Sequence, residues 1–155
     1  PENENLVKSL STKHIATAER QGNRIVLTPE NIFEDKGLEF PSFNEEFRGK
    51  QYKFAYAAGT INQNNFRNKV CKVNFDTKQF LEFKEDEHVF PGEPYFLPRP
   101  NGSDEEDGVV LVPMTNTKDP HKDFLLFLDK DMTEIARATF QNDIPSAFHG
   151  IFLRD

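Results

Sequence analysis

The sequence predicts an all-β fold, specifically part of a β-propeller, from three observations. Short apolar runs recur between turn signals, and no long stretch repeats apolar residues at the helical period. The aromatic residues are 16 Phe and 3 Tyr with no Trp, and aromatic and β-branched side chains favour strands. Two similar hairpins also lie about one propeller blade apart in the 155-residue chain.

Nine strands are predicted, because each apolar run is bounded by residues that favour turns. In chain order the predicted strands cover residues 14–19, 24–28, 52–58, 69–75, 79–84, 95–98, 109–113, 123–128 and 135–140. The clearest turn signals between them are at 21–23, 62–65, 101–103 and 119–120.

The two similar hairpins cover residues 70–83 and 124–138. In each, an aspartate follows the first strand, and its carboxylate is expected to accept backbone N–H groups of the turn. These residues, Asp76 and Asp129, lie 53 positions apart, close to the roughly 40 to 50 residues of a four-stranded blade. At that length the chain holds about three blades, whereas closed propellers have about four to eight. We therefore expect a piece of a longer protein, in agreement with a first residue, Pro1, that is not Met.

The charge pattern argues against nucleic acid as a partner. The net charge is −7, and 19 basic residues are scattered among 26 acidic ones, whereas nucleic-acid binding needs clustered Lys and Arg. The acidic run at 103–108 does not match an EF-hand, because the twelfth position from Asp104 is Thr115 rather than Glu. We interpret this run as a solvated turn.

Cys71 is the single cysteine, so an internal disulfide is impossible. This favours a reducing compartment, and an intracellular, most simply cytoplasmic, location is expected. The alternation around Cys71 predicts a small buried strand residue. No apolar run approaches the roughly 20 residues of a membrane span.

Four histidines are present, and His149 differs from the others. His14, His88 and His121 lie in polar or strand-edge surroundings and are interpreted as surface residues. Apolar residues surround His149 between Pro145 and Gly150. From the residues alone, a hydrogen-bonded core histidine is favoured over a metal ligand.

Two glutamates, Glu39 and Glu93, lie beside proline and aromatic residues. A carboxylate in such surroundings is costly unless it is paired. Each is therefore interpreted either as a turn cap or as the partner of a metal-bound histidine, whose second ring N–H wants a carboxylate.

The order and spacing of several motifs resemble the C-terminal third of the carotenoid-cleavage oxygenase family. These motifs are GEPYFLPRP at 92–100, DEEDGVVL at 104–111, FLLFLD at 124–129, EIARA at 134–138 and FHGIF at 148–152. LEFPSFN at 38–44 and GKQY at 49–52 are similar to the animal branch, which includes the β-carotene oxygenases and the retinoid isomerase of the retinal pigment epithelium. The resemblance extends from about residue 5 to the end.

The resemblance implies a seven-bladed propeller with Fe(II) on its axis, bound by four histidines that three glutamates orient. It places His149 as the last iron ligand, within the family's His-Gly-(Leu or Ile)-Phe motif. It places Glu93 and Glu39 as orienting glutamates, with Glu93 predicted to contact His149 and Glu39 to serve a histidine outside this chain. The remaining three ligands have no counterpart here.

The function implied is that of an Fe(II)-dependent dioxygenase that uses O2 to cleave a C=C bond of a carotenoid or apocarotenoid. Two alternatives stay open, a retinoid isomerohydrolase of the same family, which consumes no O2, and a non-catalytic propeller module. Residues 1–155 are predicted to be the C-terminal portion of one propeller domain, two to three blades, and to be inactive alone. Peripheral membrane contact is left open for parts of the protein outside this chain.

Overall fold

The computed structural model describes residues 4–7, 16–33, 36–59, 67–142, 144–145 and 149–153. The chain divides into two compact units, Pro1–Glu34 and Asp35–Asp155. In the first unit, β1 (Thr17–Gln21) and β2 (Arg24–Thr28) form an antiparallel hairpin. None of the helices in the described ranges is long and apolar enough to cross a membrane.

The second unit begins with a four-stranded antiparallel sheet in the order β3-β4-β5-β6. Its strands are β3 (Leu38–Ser42), β4 (Phe54–Gly59), β5 (Lys69–Asn74) and β6 (Phe80–Phe83). The short 3-10 helix η1 (Glu45–Phe47) lies between β3 and β4. Both faces of β4 are buried from Ala55 onward, as expected for a central strand that is covered on two sides.

The second sheet is centred on β9 (Gly108–Asn116). On one side β9 pairs with β10 (Phe124–Leu128), which pairs with β11 (Glu134–Thr139). On the other side it pairs with two short strands, β7 (Val89–Pro91) and β8 (Tyr95–Pro98). These two strands occupy one position of a four-stranded sheet, and the break between them contains Glu93.

The main core lies between the two sheets. Because side chains alternate along a strand, every second residue of β9 and β10 faces the first sheet. The cluster comprises Tyr56, Val70, Val89, Phe96, Val110, Val112, Met114, Phe124, Leu126, Leu128 and Met132. A fully buried residue such as Leu126 stabilises the fold by roughly 1.5–3 kcal/mol.

The acidic run forms the predicted turn, in which the Asp107 N–H donates to the Asp104 carbonyl, but two of its carboxylates are not simply solvated. The Glu105 carboxylate accepts the backbone N–H groups of Lys53 at 2.8 Å and Phe54 at 2.7 Å, at the start of β4. Glu106 forms an ion pair with Lys72 of β5, whose side chain is only 6% exposed. Two of the carboxylates therefore connect the second sheet to the first, because backbone donors and a buried ammonium of β4 and β5 lie within their reach.

Each predicted strand has a counterpart, with residues 14–15 outside the described ranges. Two strands, β3 and β7, were not predicted. Both contain proline, at Pro41 and Pro91, which cannot donate to the ladder and argues against a strand in sequence. The predicted burial of Cys71 is confirmed, since it lies in β5 and is 1% exposed.

The predicted equivalence of the two hairpins is confirmed, because each supplies the third and fourth strands of its own sheet. Their turns are closed by different residues. Asp129 accepts the N–H groups of Asp131 and Thr133 as predicted. In the first hairpin Asn74 accepts the N–H groups of Asp76 and Thr77, because its side-chain amide oxygen lies within reach at the end of β5.

Candidate metal centre

Glu93 is held in place by the break between β7 and β8. Gly92 donates its N–H to the Pro113 carbonyl at 2.8 Å, which continues the pairing with β9 into the break. The following residue, Pro94, is fully buried and disfavours helical geometry at Glu93. These contacts fix the backbone from which the Glu93 side chain extends. The side chain is 21% exposed, so its carboxylate is partly buried.

The Glu93 carboxylate contacts His149, which lies 56 residues later in the chain. The distance from Glu93 Oε2 to His149 Nδ1 is 3.1 Å, and the Gly150 N–H lies 3.4 Å from the same oxygen. An ionised carboxylate can only accept, so Nδ1 donates to it, and in the neutral imidazole Nε2 then carries the lone pair. The predicted contact between Glu93 and His149 is confirmed, while the role of either residue at a metal stays a prediction.

The interpretation of His149 as a core histidine is wrong. Its side chain is 74% exposed, and two of the apolar residues that suggested burial, Ile151 and Phe152, are themselves 80% and 44% exposed. Residues 149–153 form no strand in the structure, so their apolar side chains are not enclosed by a sheet. Within the described residues, Nε2 has no hydrogen-bond partner.

A second group of side chains reaches His149 from β3. The Phe40 ring meets the imidazole edge to face, with centroids 5.7 Å apart and planes at 73°. The Arg67 guanidinium lies 4.1 Å from the Phe40 centroid and 3.8 Å from a Glu39 oxygen. Glu39 therefore lies close to the site, but it is 63% exposed and pairs with Arg67 rather than with His149.

A known protein family matches almost the whole chain. A model of the family described as retinal pigment epithelial membrane protein, RPE65, matches residues 5–154. The chain belongs to the RPE65 family. This confirms the resemblance to the carotenoid oxygenases, while the placement at the C-terminus of a longer protein stays a prediction.

Several characterised members of the RPE65 family are similar to this chain. The human β,β-carotene 15,15'-dioxygenase is 40% identical over 153 residues, which is 97% of this chain and 27% of the human protein. A mitochondrial carotenoid-cleaving dioxygenase of Mustela putorius furo is 35% identical over 165 residues, covering 99% of this chain and 29% of the relative. The chain thus spans little more than a quarter of the length of the relatives it matches.

Solved structures in the RPE65 family share the fold. A cobalt-substituted Synechocystis apocarotenoid oxygenase matches with a TM-score of 0.76 and 24% identity, over 84% of this chain and 28% of that one. A variant of the same oxygenase matches with a TM-score of 0.74 and 26% identity, over 85% and 27% of the two chains. The predicted all-β, partial propeller fold is confirmed.

His88 and His121 of this RPE65-family chain lie in settings that differ from that of His149. His121 is exposed in the 3-10 helix η2 (Pro120–Lys122), and His88 lies 3.0 Å from its exposed neighbour Glu87. His14 lies outside the described residues. The described residues contain no cluster of three or more His, Cys, Asp or Glu that could bind a metal.

The donor at His149 nevertheless fits iron. A neutral imidazole nitrogen is a suitable ligand for Fe(II), and a carboxylate on the other ring nitrogen is the usual partner of a metal-bound histidine. The described part of the chain therefore contains one imidazole that fits a metal, with a carboxylate on its other ring nitrogen.

An apolar groove of about 470 Å³ adjoins Glu93 and Gly150. The residues that form its floor are Tyr95, Leu97, Leu111, Pro113, Leu125 and Phe127. They alternate with the core-facing residues of β8, β9 and β10, so this face of the second sheet is as apolar as the core face. The groove was not predicted from the sequence, although apolar residues on both faces of the same strands indicate such a surface.

Proposed function

We propose that the intact protein is an Fe(II)-dependent dioxygenase that cleaves a C=C bond of a carotenoid or apocarotenoid. His149 would supply one of its metal ligands. The observation that carries this proposal is the His149–Glu93 pair, which leaves Nε2 as an unprotonated imidazole donor. Support comes from the 40% identical human β,β-carotene 15,15'-dioxygenase and from the solved oxygenase whose metal was substituted by cobalt.

Iron held by a set of neutral imidazoles would supply the capacity to bind and activate O2 for the cleavage. The contribution of this chain is to hold one imidazole in a single tautomer. Glu93 accepts the Nδ1 proton and the Gly150 N–H, so it constrains both the ring and the backbone next to it. The other imidazoles would come from residues outside this chain.

Glu39 is proposed to orient a histidine that lies outside this chain. Its residue neighbour Phe40 contacts the His149 ring, so its carboxylate lies beside the same site. Its exposure of 63% leaves it accessible to a partner from the rest of the protein. A carotenoid and O2 are then the proposed substrates, and the single, buried Cys71 supports an intracellular location.

The test replaces histidines one at a time in the intact protein. His149→Ala is expected to lose bound iron and carotenoid cleavage, whereas His88→Ala and His121→Ala serve as matched controls that keep both. Iron is measured by mass spectrometry, and cleavage by product formation under labelled O2. Incorporation of labelled oxygen into the products supports the dioxygenase. Retinoid isomerisation without uptake of O2 would contradict it in favour of an isomerohydrolase.

A further inference from the structure

The geometry points to Phe40 as a positioning residue that fixes the plane of the His149 imidazole. This assignment rests on the proposed function of His149 as a metal ligand. It adds an aromatic contact to the hydrogen bond from Glu93 as a second constraint on the ring.

The backbone at Phe40 is in a conformation that a non-glycine residue rarely adopts. Its φ is 54°, in the left-handed region that is disfavoured for side chains with a Cβ. The pairing of β3 with β4 is irregular here, with a register shift between Glu39 and Ser42. Strain of this kind persists where the surroundings require it, and it concentrates at functional sites.

The strained residue places its ring in two contacts. It meets His149 edge to face at 5.7 Å, a geometry that aromatic rings prefer. It also lies 4.1 Å from the Arg67 guanidinium, which is itself paired with Glu39. Phe40 is thus held by the Arg67 contact as well as by its own backbone. It contacts a histidine that lies far from it in the sequence.

His149 needs a second constraint because it is 74% exposed. The hydrogen bond to Glu93 fixes the position of Nδ1 and the tautomer, but it leaves the ring free to tilt about that bond. An edge-to-face neighbour opposes that tilt. Within the described residues, Glu93 is the ring's hydrogen-bond partner and Phe40 its aromatic partner, and together they define the direction of the Nε2 lone pair.

The test uses the intact protein with Co(II) as the probe, because its visible absorption reports ligand geometry. Phe40→Leu removes the aromatic edge and keeps an apolar side chain, and it is expected to weaken Co(II) affinity about 10-fold and to alter the spectrum. Phe40→Tyr keeps the aromatic ring and is expected to keep the wild-type Co(II) affinity and spectrum. Phe40→Gly removes the ring and is therefore expected to weaken Co(II) binding. Because it also relieves the strained backbone, it is not expected to lower the thermal unfolding temperature.

Two controls match these changes. Phe43→Leu removes a ring that also contacts an arginine, Arg48 at 5.6 Å. Lys78→Gly relieves a φ of 58° elsewhere. Neither is expected to change the Co(II) spectrum.

Wild-type Co(II) affinity and spectrum in Phe40→Leu would overturn the inference. A parallel loss of stability and affinity in Phe40→Gly would also do so, because it would make Phe40 a structural residue. His149→Ala separates this inference from the proposed function. If that variant loses Co(II) while the Phe40 variants do not, only the role of Phe40 is wrong. If it keeps Co(II) with an unchanged spectrum, the proposed metal site itself is wrong.

Discussion

At the scale of single residues, the Glu93–His149 pair is the candidate functional contact of this chain. Its distance of 3.1 Å joins two residues that are far apart in sequence. The carboxylate takes its position from the sheet, whereas the histidine is exposed. The glutamate therefore determines the orientation of the imidazole ring, and a substitution of Glu93 tests the pair best.

We expect Glu93→Gln in the intact protein to keep the fold and to weaken iron retention by about 10- to 100-fold, as other changes next to metal ligands do. The neutral amide accepts the Nδ1 proton more weakly than a carboxylate does. Iron content after dialysis against a chelator measures the effect, and the thermal unfolding temperature reports the fold. Glu87→Gln, which changes the other glutamate–histidine contact at 3.0 Å, is the matched control. Equal iron loss in both variants would contradict the assignment.

Cys71 makes the folded chain sensitive to alkaline pH. Burial raises the pKa of the Cys71 thiol from 9.0 to about 12, so the folded state keeps a proton that the unfolded state loses. Stability is therefore full below pH 9 and falls as the pH rises from about 9 towards 12. Burial raises the pKa of the Tyr56 hydroxyl as well and adds to this fall above pH 10. We expect Cys71→Ala to flatten the decline in urea-unfolding free energy between pH 9 and 10.5, and an unchanged slope would contradict the prediction.

At the scale of elements, the acidic loop before β9 connects the two sheets through a buried ion pair. Lys72 Nζ also donates to the Lys130 carbonyl, so the ammonium is satisfied from two segments of the second sheet. Removing one partner of such a pair leaves an uncompensated buried charge. The contact is therefore expected to matter more for stability than the surface pairs of the same strands.

We expect Glu106→Gln to lower the free energy of unfolding by about 3–5 kcal/mol, because it removes the carboxylate that pairs directly with the buried Lys72 ammonium. Lys72→Met, which removes the charge and fills the space of its stem, is expected to cost less. Glu82→Gln breaks the more exposed pair with Lys69 on the same sheet and is expected to cost about 0–1 kcal/mol. Urea unfolding compares the three variants. A loss in Glu106→Gln no larger than that in Glu82→Gln would show that the pair is not effectively buried.

Most strands could be predicted because alternation and turn residues are local signals. Strands such as β2 and β8 therefore have the bounds that the sequence predicted. The site could not be derived in the same way. The pairing of Glu93 with His149 came from the family resemblance, and local patterns favoured a core histidine. The left-handed backbone of Phe40 and the Lys72–Glu106 pair leave no local signal, because one depends on sheet pairing and the other joins residues 34 positions apart.

At the scale of the whole molecule, this chain spans only part of the length of the relatives it matches. It covers 27% of the human β,β-carotene 15,15'-dioxygenase, and its described residues supply one imidazole at the candidate site. Its second sheet also has an apolar face that is open along the groove. We therefore expect activity of the intact protein and not of this chain alone.

We expect the 155-residue chain alone to bind Fe(II) no more tightly than its His149→Ala variant, because one imidazole cannot replace a set of ligands. It should also release no cleavage products from a carotenoid. Anaerobic calorimetry with Fe(II) and chromatography of β-carotene incubations measure the two outcomes. Stoichiometric, His149-dependent Fe(II) binding by this chain would contradict the prediction.

The break between β7 and β8 also links the proposed metal centre to the local opening of the second sheet. Glu93 is held there by the pairing of two short strands with β9, so fraying of either strand would withdraw the carboxylate from His149. By reciprocity, a metal that favours the paired state must stabilise both strands. In the intact protein, metal loading is therefore expected to slow hydrogen exchange at the Gly92 amide and along β8, while β11 at the far edge of the sheet keeps its rate. Hydrogen exchange at amides that are not next to a metal ligand would then report whether the metal site is occupied.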